Sequence, residues 1–355
     1  MIDHNFWRDK RVLISGHTGF KGSWLSLLLK ILGANITGLS SLNHNDNAVF
    51  FNMISDKLNI ESFDIDINNY NDLESAIGKR EFDIFFHMAA QPLVRHSYAS
   101  PLETFNTNAI GTLNFLELLR NYENIKSSVI ITTDKCYENK EIDIGYKETD
   151  RMGGHDPYSA SKACAELIIG SYQRSFFYPK NIDLGLCSVR AGNVIGGGDF
   201  SEDRLIPDIL RSVKNNSVLS IRSPNSTRPW QHVLEPLVGY LEIAKLSYSE
   251  GSSFNSAWNF GPYESDVKTV KEVVDKCITY LEKPIKADFK DSDDSKHEAG
   301  LLKLNIEKAL SELSWKPSLD FDSAIKLTMD WYSRYLNHED MFLCSNKQIQ
   351  DFIDL

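Results

Sequence analysis

Two short groups of residues near the middle of the chain carry side chains suited to proton transfer. Tyr158 and Lys162 are four residues apart, so a helix would place both on one face with the ammonium close to the phenol. A neighbouring cation favours the phenolate, so we expect the pKa of Tyr158 to fall below its ordinary value of about 10 and the phenol to act as a general base. The second group, Thr133-Asp134-Lys135, supplies a hydroxyl, a carboxyl and an ammonium. Tyr-x-x-x-Lys pairs also occur on ordinary helix surfaces, so the surrounding sequence must decide.

The flanking segments predict that both groups meet at one edge of a sheet. The apolar run Val129 to Ile131 predicts a buried strand, and polar residues that follow such a strand lie at its carboxyl end, where open α/β sheets bind ligands. Asp156 and Pro157 predict the start of the helix that carries Tyr158, because Asp is a good cap and Pro is tolerated at the first helical position.

A glycine-rich turn near the start of the chain predicts a dinucleotide site. The strand Arg11 to Ser15 runs into GxxGxxG, and an apolar helix from Ser23 to Leu32 follows. Such a turn lets the backbone approach a pyrophosphate, whose charge the helix N-terminus favours. The residues predicted to bind it are Gly16, His17, Thr18, Gly19, Phe20, Lys21 and Gly22.

Later segments are assigned to the remainder of this cofactor. A second strand, Asn35 to Leu39, precedes Ser40-Ser41-Leu42-Asn43, which has neither the acid typical of NAD sites nor a base for a 2′-phosphate, and the lack of a base favours NAD. A third strand, Phe63 to Ile67, is predicted to bring an acid to the adenine, with a solvated acid as the alternative. The additional cofactor-binding residues are Asp66, Ile67, Ala89, Ala90, Gln91 and Asn108.

Composition restricts the class of protein. The net charge of −11 argues against a nucleic-acid surface. The five cysteines lack CxxC spacing, which predicts reduced thiols and neither a zinc site nor a disulfide framework. Met1 to Lys10 lacks an apolar signal core, and no segment approaches the roughly 20 apolar residues that span a bilayer, so we expect a cytoplasmic protein without membrane contact.

Alternating strands and helices without an internal repeat predict an α/β fold, a Rossmann-type doubly wound parallel sheet with a smaller, mixed α/β C-terminal substrate-binding lobe. The expected NAD-binding domain is 1–190, with a segment near 230–262 that returns a strand, Trp258 to Gly261, to the main sheet. The expected substrate lobe is 191–229 with 263–340, and 341–355 forms a C-terminal tail.

Several longer motifs add to these patterns. They are Gly16 to Leu25, His87 to Arg95, Asp134 to Tyr137, Ser188 to Asp199, Asp203 to Asp208 and Arg228 to Pro236. Together they resemble the extended short-chain dehydrogenase/reductase family, and more narrowly the CDP-glucose 4,6-dehydratases of bacterial surface-polysaccharide pathways. The resemblance runs from Phe6 to the C-terminal tail.

The resemblance implies an internal redox cycle on a nucleotide sugar. Tyr158 would take the proton of the sugar 4-hydroxyl while C4 gives a hydride to NAD, and Lys162 would lower the phenol pKa and anchor the nicotinamide ribose. Water would then leave across C5 and C6, and the hydride would return to C6. Thr133 would hydrogen-bond the 4-oxygen and Asp134 would protonate the departing 6-hydroxyl. Related dTDP-glucose dehydratases have Glu where this chain has Lys135, so Lys135 is either the C5 base or a group that stabilises the enolate.

Both the order of the segments and the resemblance point to substrate contacts. Arg95 and Ser97 are candidates because they lie in a segment, Gln91 to Tyr98, that we expect to form a loop over the site, with a solvated loop as the alternative. For the CDP group we expect Asn193, Arg204, Leu205 and Arg228, because an arginine fork matches pyrophosphate oxygens. A surface ion pair is the alternative for Arg228, and His297-Glu298 receives no role.

Two other functions remain open at this point. A sugar-nucleotide 4-epimerase would share the fold, Tyr158, Lys162 and NAD, but would not need Asp134 and Lys135. A non-catalytic module that binds NAD or a sugar nucleotide would need none of them. Family resemblance also implies a homodimer or larger homo-oligomer through the helices Leu113 to Tyr122 and Cys164 to Phe177, with packing inside one subunit as the alternative.

Overall fold

The computed structural model describes residues 2–41, 48–78, 80–122, 124–178, 182–281, 285–289 and 299–355. The described strands are β1 (Arg11–Ser15), β2 (Asn35–Ser40), β3 (Glu61–Asp64), β4 (Ile84–His87), β5 (Ser127–Ile131), β6 (Gly185–Ala191), β7 (Val194–Ile195), β8 (Leu219–Ile221), β9 (Thr227–Arg228), β10 (Gln231–His232), β11 (Ala257–Phe260), β12 (Lys268–Thr269) and β13 (Ala287–Phe289).

The described helices are α1 (His4–Trp7), α2 (Phe20–Ile31), α3 (Val49–Leu58), α4 (Tyr70–Ile77), α5 (Val94–Ala99), α6 (Pro101–Phe105), α7 (Gly111–Arg120), α8 (Pro157–Tyr172), α9 (Leu205–Asn215), α10 (Leu234–Glu250), α11 (Val270–Ile278), α12 (Glu307–Glu312), α13 (Phe321–Leu336) and α14 (Met341–Ile353). Two π-helical segments, Asn106–Ile110 and Gln173–Phe177, adjoin α7 and α8. No helix in these described ranges combines the length and the apolar character needed to traverse a bilayer.

A seven-stranded parallel sheet in the order β11-β6-β5-β4-β1-β2-β3 forms the centre of the described structure. Strands β4, β5 and β6 are buried on both faces, as in other doubly wound sheets, whereas the edge strand β3 is largely exposed. In β5, for example, Val129 and Ile131 pack into the core that contains α2, α10 and α13, whereas Ile130 packs into the core that contains α4, α7 and α8. The predicted α/β fold class is therefore confirmed.

The turn after β1 adopts its path because two of its three glycines, Gly16 and Gly22, lie where a Cβ would clash. Gly16 has φ +75°, and a Cβ there would lie 2.6 Å from the amide nitrogen of Ala89. A Cβ on Gly22 would lie 2.1 Å from the carbonyl oxygen of Gly16. The turn can therefore pack closely against both β4 and the start of α2, leaving its backbone amides at the topological switch point between β1 and β4.

The C-terminal half adds small sheets around the carboxyl end of the main sheet. The described pairs are β7 with β10, β9 with β12, and β8 with β13. Strand β11 pairs with β6 in parallel, so the predicted return of this segment to the main sheet is correct. From the far end of the chain, Tyr332 of α13 donates a hydrogen bond to the carbonyl oxygen of Asp199 at 2.6 Å. The last helices thereby support the glycine-rich loop after β7.

Three predicted segments differ from the structure. The third strand, β3, ends at Asp64, since Asp66 instead forms a turn in which its Oδ1 accepts a hydrogen bond from the Asn68 amide at 2.9 Å. The expected loop from Gln91 to Tyr98 contains helix α5. Helix α2 starts at Phe20, before the predicted Ser23. The predictions for Leu42-Asn43 and His297-Glu298 lie outside the described residues.

Candidate active site

A cleft of about 460 Å³ opens beyond the carboxyl ends of β5 and β6. It is lined by residues from widely separated parts of the chain: Phe20, Lys21, Pro92 to Arg95, Tyr98, Thr132 to Lys135, Tyr158, Ala191 to Gly196, Asp199, Asp203 to Asp208, Ser220 to Ser223, Arg228, Trp230 and Val270. The residues predicted to transfer protons, Thr133 to Lys135 and Tyr158, therefore lie in the same cleft as four basic residues: Lys21, Arg95, Arg204 and Arg228.

Strand β5 and helix α8 position the central residues. Beyond β5, Thr133 caps a short 3₁₀ turn, Asp134–Cys136, by accepting a hydrogen bond from the Lys135 amide at 3.4 Å. Helix α8 begins at Pro157, and the Asp156 carboxylate accepts a hydrogen bond from the Ser159 amide at 2.9 Å. The predicted cap of α8 is thus correct, and it directs Tyr158 into the cleft.

The predicted acidity of Tyr158 is wrong for the structure as it stands. Burial raises the pKa of Tyr158 to about 12, although a hydrogen bond with Thr133 and the charge of Arg204 act in the opposite direction. The prediction considered only the spacing to Lys162, and a sequence pattern does not reveal how completely other segments bury the phenol. Tyr158 is 8% exposed and lies beside Thr133 and Asp134.

Lys162 lies one turn further along α8, and its ammonium is fixed by the main chain. Its Nζ donates a hydrogen bond to the carbonyl oxygen of Ile131 at 3.1 Å. Burial lowers the pKa of Lys162 to about 8, while the nearby carboxylate of Glu166 favours the charged form. Lys162 is therefore a buried cation held against the end of the central strand.

Asp134 carries a carboxyl group with one oxygen left for a ligand. Its Oδ1 accepts a hydrogen bond from the Thr133 hydroxyl at 3.0 Å. Its Oδ2 is buried and has no hydrogen-bond partner among the described residues. Burial raises the pKa of Asp134, and the charge of Lys135 is the largest opposing effect. A carboxyl group of this kind is suited to hold and donate a proton.

Lys21, which is half-buried, brings a second ammonium to the cleft from the start of α2. Its Nζ lies 5.9 Å from the centre of the Tyr240 ring, and within the described ranges it makes no hydrogen bond or ion pair. Burial, with the positive charges of Lys162 and Arg204, lowers the pKa of Lys21 to about 7. This arrangement favours binding of an anionic group beside Lys21.

The other predicted cofactor residues lie around the turn and at its flanks. The His17 Nε2 is 2.7 Å from the Ser62 hydroxyl of β3, and the Thr18 hydroxyl donates to the Ser40 hydroxyl at 3.0 Å. Ala89 and Ala90 follow β4 and are half-buried, whereas Asp66 is exposed and Ile67 is 4% exposed. Their positions follow the carboxyl edge from β3 to β4.

Asn108 differs from the expected ligand contact. It is fully buried, and its Nδ2 donates to the Gln91 carbonyl at 3.0 Å and to the Ser161 hydroxyl at 2.9 Å. Its Oδ1 accepts a hydrogen bond from the Gln91 amide at 2.9 Å. Both N–H groups are therefore used within the protein, and Asn108 joins the segment after β4 to helix α8.

Five of the six predicted substrate residues line the cleft. Arg204 donates to Asp199 at 2.8 Å, and Arg228 is 2% exposed and donates to the carbonyl of Thr227 at 2.8 Å. Arg95, Asn193 and Leu205 complete this set. Ser97 is the exception: it is fully buried, and its hydroxyl donates to the Val94 carbonyl at 2.6 Å, so it stabilises α5 instead of facing the cleft.

Sequence reasoning missed two ion pairs at the site, although it predicted Arg204 as a substrate contact. Asp199 fixes the guanidinium of Arg204, and only the crowded glycines around it indicated an unusual loop. Glu166 and Arg190 form a buried ion pair behind the cleft, at 2.8 Å. A Glu four residues after Lys162 was the available signal, since such a spacing places both on one face of α8.

Comparisons with known proteins agree with this geometry. The family model described as GDP-mannose 4,6 dehydratase matches residues 13–328. The chain is 48% identical to the CDP-glucose 4,6-dehydratase of Salmonella typhimurium over 99% of each chain. A dTDP-glucose 4,6-dehydratase of Bacillus anthracis, solved in complex with NAD, shares the fold with a TM-score of 0.75 at 24% identity, covering 94% of this chain and 99% of that one.

The fold extends to enzymes of a different activity. A UDP-glucuronic acid 4-epimerase of Bacillus cereus, solved with UDP-glucuronic acid and NAD, gives a TM-score of 0.77 at 19% identity and covers 92% of this chain and 99% of that one. At such identity the likeness concerns the fold alone. The extent of the family match and the 48% identity over 99% of the chain show that this protein belongs to the GDP-mannose 4,6 dehydratase family.

Proposed function

We propose that this protein is a CDP-glucose 4,6-dehydratase, a hydro-lyase that converts CDP-D-glucose to CDP-4-dehydro-6-deoxy-D-glucose and water. The observation that carries the proposal is the pair formed by Tyr158 and Asp134 in one cleft, because oxidation needs a base and elimination needs an acid. The 48% identity with a CDP-glucose 4,6-dehydratase over 99% of the chain supports this choice of substrate.

The cofactor of the proposed reaction is NAD. The turn from Gly16 to Gly22 fits a dinucleotide. A Cβ at Gly16 would clash with Ala89 and a Cβ at Gly22 would clash with the Gly16 carbonyl, so glycines allow the compact turn whose backbone amides can bind a pyrophosphate. Lys21, whose ammonium makes no hydrogen bond or ion pair within the described ranges, would bind a phosphate of the cofactor. The chemistry that NAD would supply when bound is that of a hydride carrier between C4 and C6 of the sugar, with no net change of the cofactor. The remaining predicted contacts are His17, Thr18, Gly19, Phe20, Asp66, Ile67, Ala89, Ala90 and Gln91.

In the first step Tyr158 would remove the proton of the sugar 4-hydroxyl while Thr133 hydrogen-bonds the 4-oxygen. The raised pKa of Tyr158 must fall for this to occur near neutral pH. The positive charge of Arg204 favours the phenolate. Lys162, in its proposed role, and any further positive charge bound beside the phenol would act in the same direction. Lys162 would also orient the nicotinamide ribose.

The second step would remove water across C5 and C6. Asp134, whose pKa is raised by burial, would give its proton to the departing 6-hydroxyl. Lys135 lines the same cleft and is half-buried. It would either accept the C5 proton as a neutral amine or stabilise the enolate as an ammonium while another group accepts that proton.

The CDP group would lie against the arginine-rich side of the cleft. Arg204 and Arg228 would contact the pyrophosphate, with Arg95, Asn193 and Leu205 at the flanks. These guanidinium groups concentrate positive charge in a protein whose net charge of −11 would otherwise repel the substrate. An arginine fork also binds phosphate oxygens bidentately.

The decisive experiment offers the purified protein a panel of nucleoside diphosphate glucoses without added NAD and measures product mass. A dehydratase with retained cofactor gives a product that is lighter by one water, fastest from CDP-glucose. An epimerase leaves the mass unchanged, and a non-catalytic module leaves the substrate itself unchanged. Either of the last two results would contradict the proposal.

We also propose how the chain divides and where it acts. Residues 1–190 form the NAD-binding domain, joined by the segment near 230–262, and 191–229 with 263–340 form the substrate lobe, before a tail at 341–355. Pairing of β11 with β6 supports the returning segment. The cysteines are free thiols, which supports a cytoplasmic location.

A homodimer or larger homo-oligomer is the proposed assembly. Helices α7 and α8 pack side by side, and α6 adjoins α8. Exposed apolar side chains occur on these segments, with Leu102 at 74%, Ile110 at 44% and Leu167 at 61% exposure. Burying them against a second copy would remove apolar surface from water.

A further inference from the structure

The buried ion pair between Glu166 and Arg190 lies directly behind the cleft. The Nε and Nη2 of Arg190 donate to the two carboxylate oxygens of Glu166, each at 2.8 Å. The two side chains are 5% and 4% exposed. Ser188 donates to the same carboxylate at 2.8 Å, and the Thr132 hydroxyl donates to it as well. The carboxylate of Glu166 therefore accepts hydrogen bonds from three residues, Thr132, Ser188 and Arg190, which fix its orientation.

This pair holds both ends of the segment that carries the proposed acid. Thr132, immediately before Thr133-Asp134-Lys135, donates to Glu166. Tyr137, shortly after that segment, accepts a hydrogen bond from Nη1 of Arg190 at 2.7 Å. The guanidinium carbon also lies 5.0 Å from the centre of the Tyr137 ring. The segment that contains Asp134 and Lys135 is therefore held at both ends, through Thr132 and Tyr137, by contacts with one ion pair.

The same pair is connected to the helix of Tyr158 and Lys162. Glu166 follows Lys162 by four residues on α8, so the two side chains share one face. Its negative charge favours the protonated form of Lys162. The Tyr137 hydroxyl continues the network by donating to Asn259 of β11 at 2.7 Å. One buried pair thus joins α8, the ends of β5 and β6, and the returning strand.

We propose that Glu166 and Arg190 are positioning residues for the dehydration, which hold the acid segment Thr133 to Lys135 at a fixed distance from Tyr158 and Lys162. This inference rests on the proposed function, since it concerns the relative placement of the oxidation and elimination groups. Neither residue lines the cleft. Their effect is exerted through Thr132, Tyr137 and Lys162.

The test must separate positioning from stability, because removing one partner of a buried ion pair leaves an unpaired charge that can unfold a protein. The double variant Glu166→Met/Arg190→Met removes both charges and keeps side chains of similar length. Its matched control is Asp330→Asn/Arg334→Met, which removes an exposed ion pair on α13. Circular dichroism, thermal unfolding and retained NAD are measured for the full chain in each case.

We expect the buried double variant to fold and retain NAD, but to convert CDP-glucose with kcat reduced about 100-fold, because a displacement of about 1 Å is sufficient for such a loss. Its KM should change little, since the arginines that face the substrate are untouched. The control should have wild-type kcat. A folded double variant with wild-type kcat would overturn the inference. If the wild-type protein itself removes no water from CDP-glucose, the proposed function fails, and the inference fails with it.

The single variant Glu166→Gln supplies a readout that a purely structural role would not change. The titratable and charged groups around Lys162 are Glu166 on its own helix, Cys136 from the turn after β5, Lys21 from α2 and His87 at the end of β4. Without the carboxylate charge, Lys162 should lose its proton at lower pH. We expect the alkaline limb of the kcat profile to move to lower pH, and an unchanged limb would contradict the connection to Lys162.

Discussion

The ammonium of Lys162 donates a hydrogen bond to the carbonyl oxygen of Ile131 at 3.1 Å, which ties helix α8 to the end of the central strand. The contact places a positive charge immediately before the residues that we assign to elimination. Because burial lowers the pKa of Lys162 to about 8, this charge is complete below that pH and is lost above it. A substrate oxyanion or a cofactor hydroxyl would stabilise the charged form and extend that range.

Replacing Tyr158 by Phe should reduce dehydration of CDP-glucose by about 10²- to 10⁴-fold, because the proposed general base for the first step is removed. Retained NAD and the unfolding temperature should stay close to wild type. Tyr263→Phe is the matched control, since Tyr263 is 42% exposed and does not line the cleft. Turnover by Tyr158→Phe at the wild-type rate would refute the role of Tyr158.

Asp134→Asn should separate oxidation from elimination. An amide cannot give a proton to the departing 6-hydroxyl, so water loss should fall by about 10²- to 10⁴-fold while C4 is still oxidised. Reduced NAD should then accumulate on the enzyme and be visible by its absorbance in a single turnover. Asp351→Asn serves as control because Asp351 forms an exposed pair with Lys347. Equal loss of oxidation and elimination would show that Asp134 does not act in the second step alone.

Lys21→Met should weaken retention of NAD by about 10- to 100-fold, as expected for the loss of a charge-assisted hydrogen bond. Burial and the positive charges of Lys162 and Arg204 lower the pKa of Lys21 to about 7, against the opposing charge of Asp134. The wild-type protein should therefore retain NAD less well as pH rises above 7. The variant should lose this pH dependence, and Lys21→Arg should retain NAD without it. The measurement is dinucleotide content after dialysis at several pH values, and unchanged retention by Lys21→Met would contradict the assignment.

Acid should destabilise the fold through three buried histidines. Burial lowers the pKa of His17 to about 4, and of His87 and His232 to about 3. The unfolded chain binds protons at these groups near pH 6.5, so stability is complete above that pH and is lost as pH falls towards the folded values. At pH 5 each histidine should cost about 2 kcal/mol of unfolding free energy. Denaturant titrations at pH 7.5 and 5 measure the loss, and His232→Phe should reduce it.

Leu167→Glu should dissociate the proposed dimer, because it puts a charge on the exposed apolar face of α8. Leu343 on α14 is 60% exposed, compared with 61% for Leu167, so Leu343→Glu is a matched control. Analytical ultracentrifugation of the wild-type chain and both variants at micromolar concentration measures the assembly. A monomeric wild type would refute the dimer, and a dimeric Leu167→Glu would place the interface elsewhere.

Several features that depend on residues close together in the sequence are predicted correctly, whereas several that depend on contacts between distant segments are not. Strand β1 and the cap of α8 depend on neighbouring residues, and both occur where local pattern predicts them. The pKa of Tyr158 depends on the segments that bury it, and Asn108 is directed away from a ligand by partners on Gln91 and Ser161. Ser97 likewise turns to its own helix. Motifs identified the neighbourhood of the cleft, whereas long-range packing determines which side chains face it.

The indole of Trp24 on α2 donates a hydrogen bond to the carbonyl oxygen of Gly197 at 2.8 Å, and a Cβ on Gly197 would lie 2.0 Å from the ring of Trp331 on α13. Helix α2, the loop at Gly197 and helix α13, which are far apart in the sequence, therefore meet at one contact point. Swapping the final helices between related enzymes should succeed only when the loop around Gly197 and its tryptophan neighbour on α2 are exchanged with them. Substrate preference would then be transferred between related enzymes only when these three segments are exchanged together.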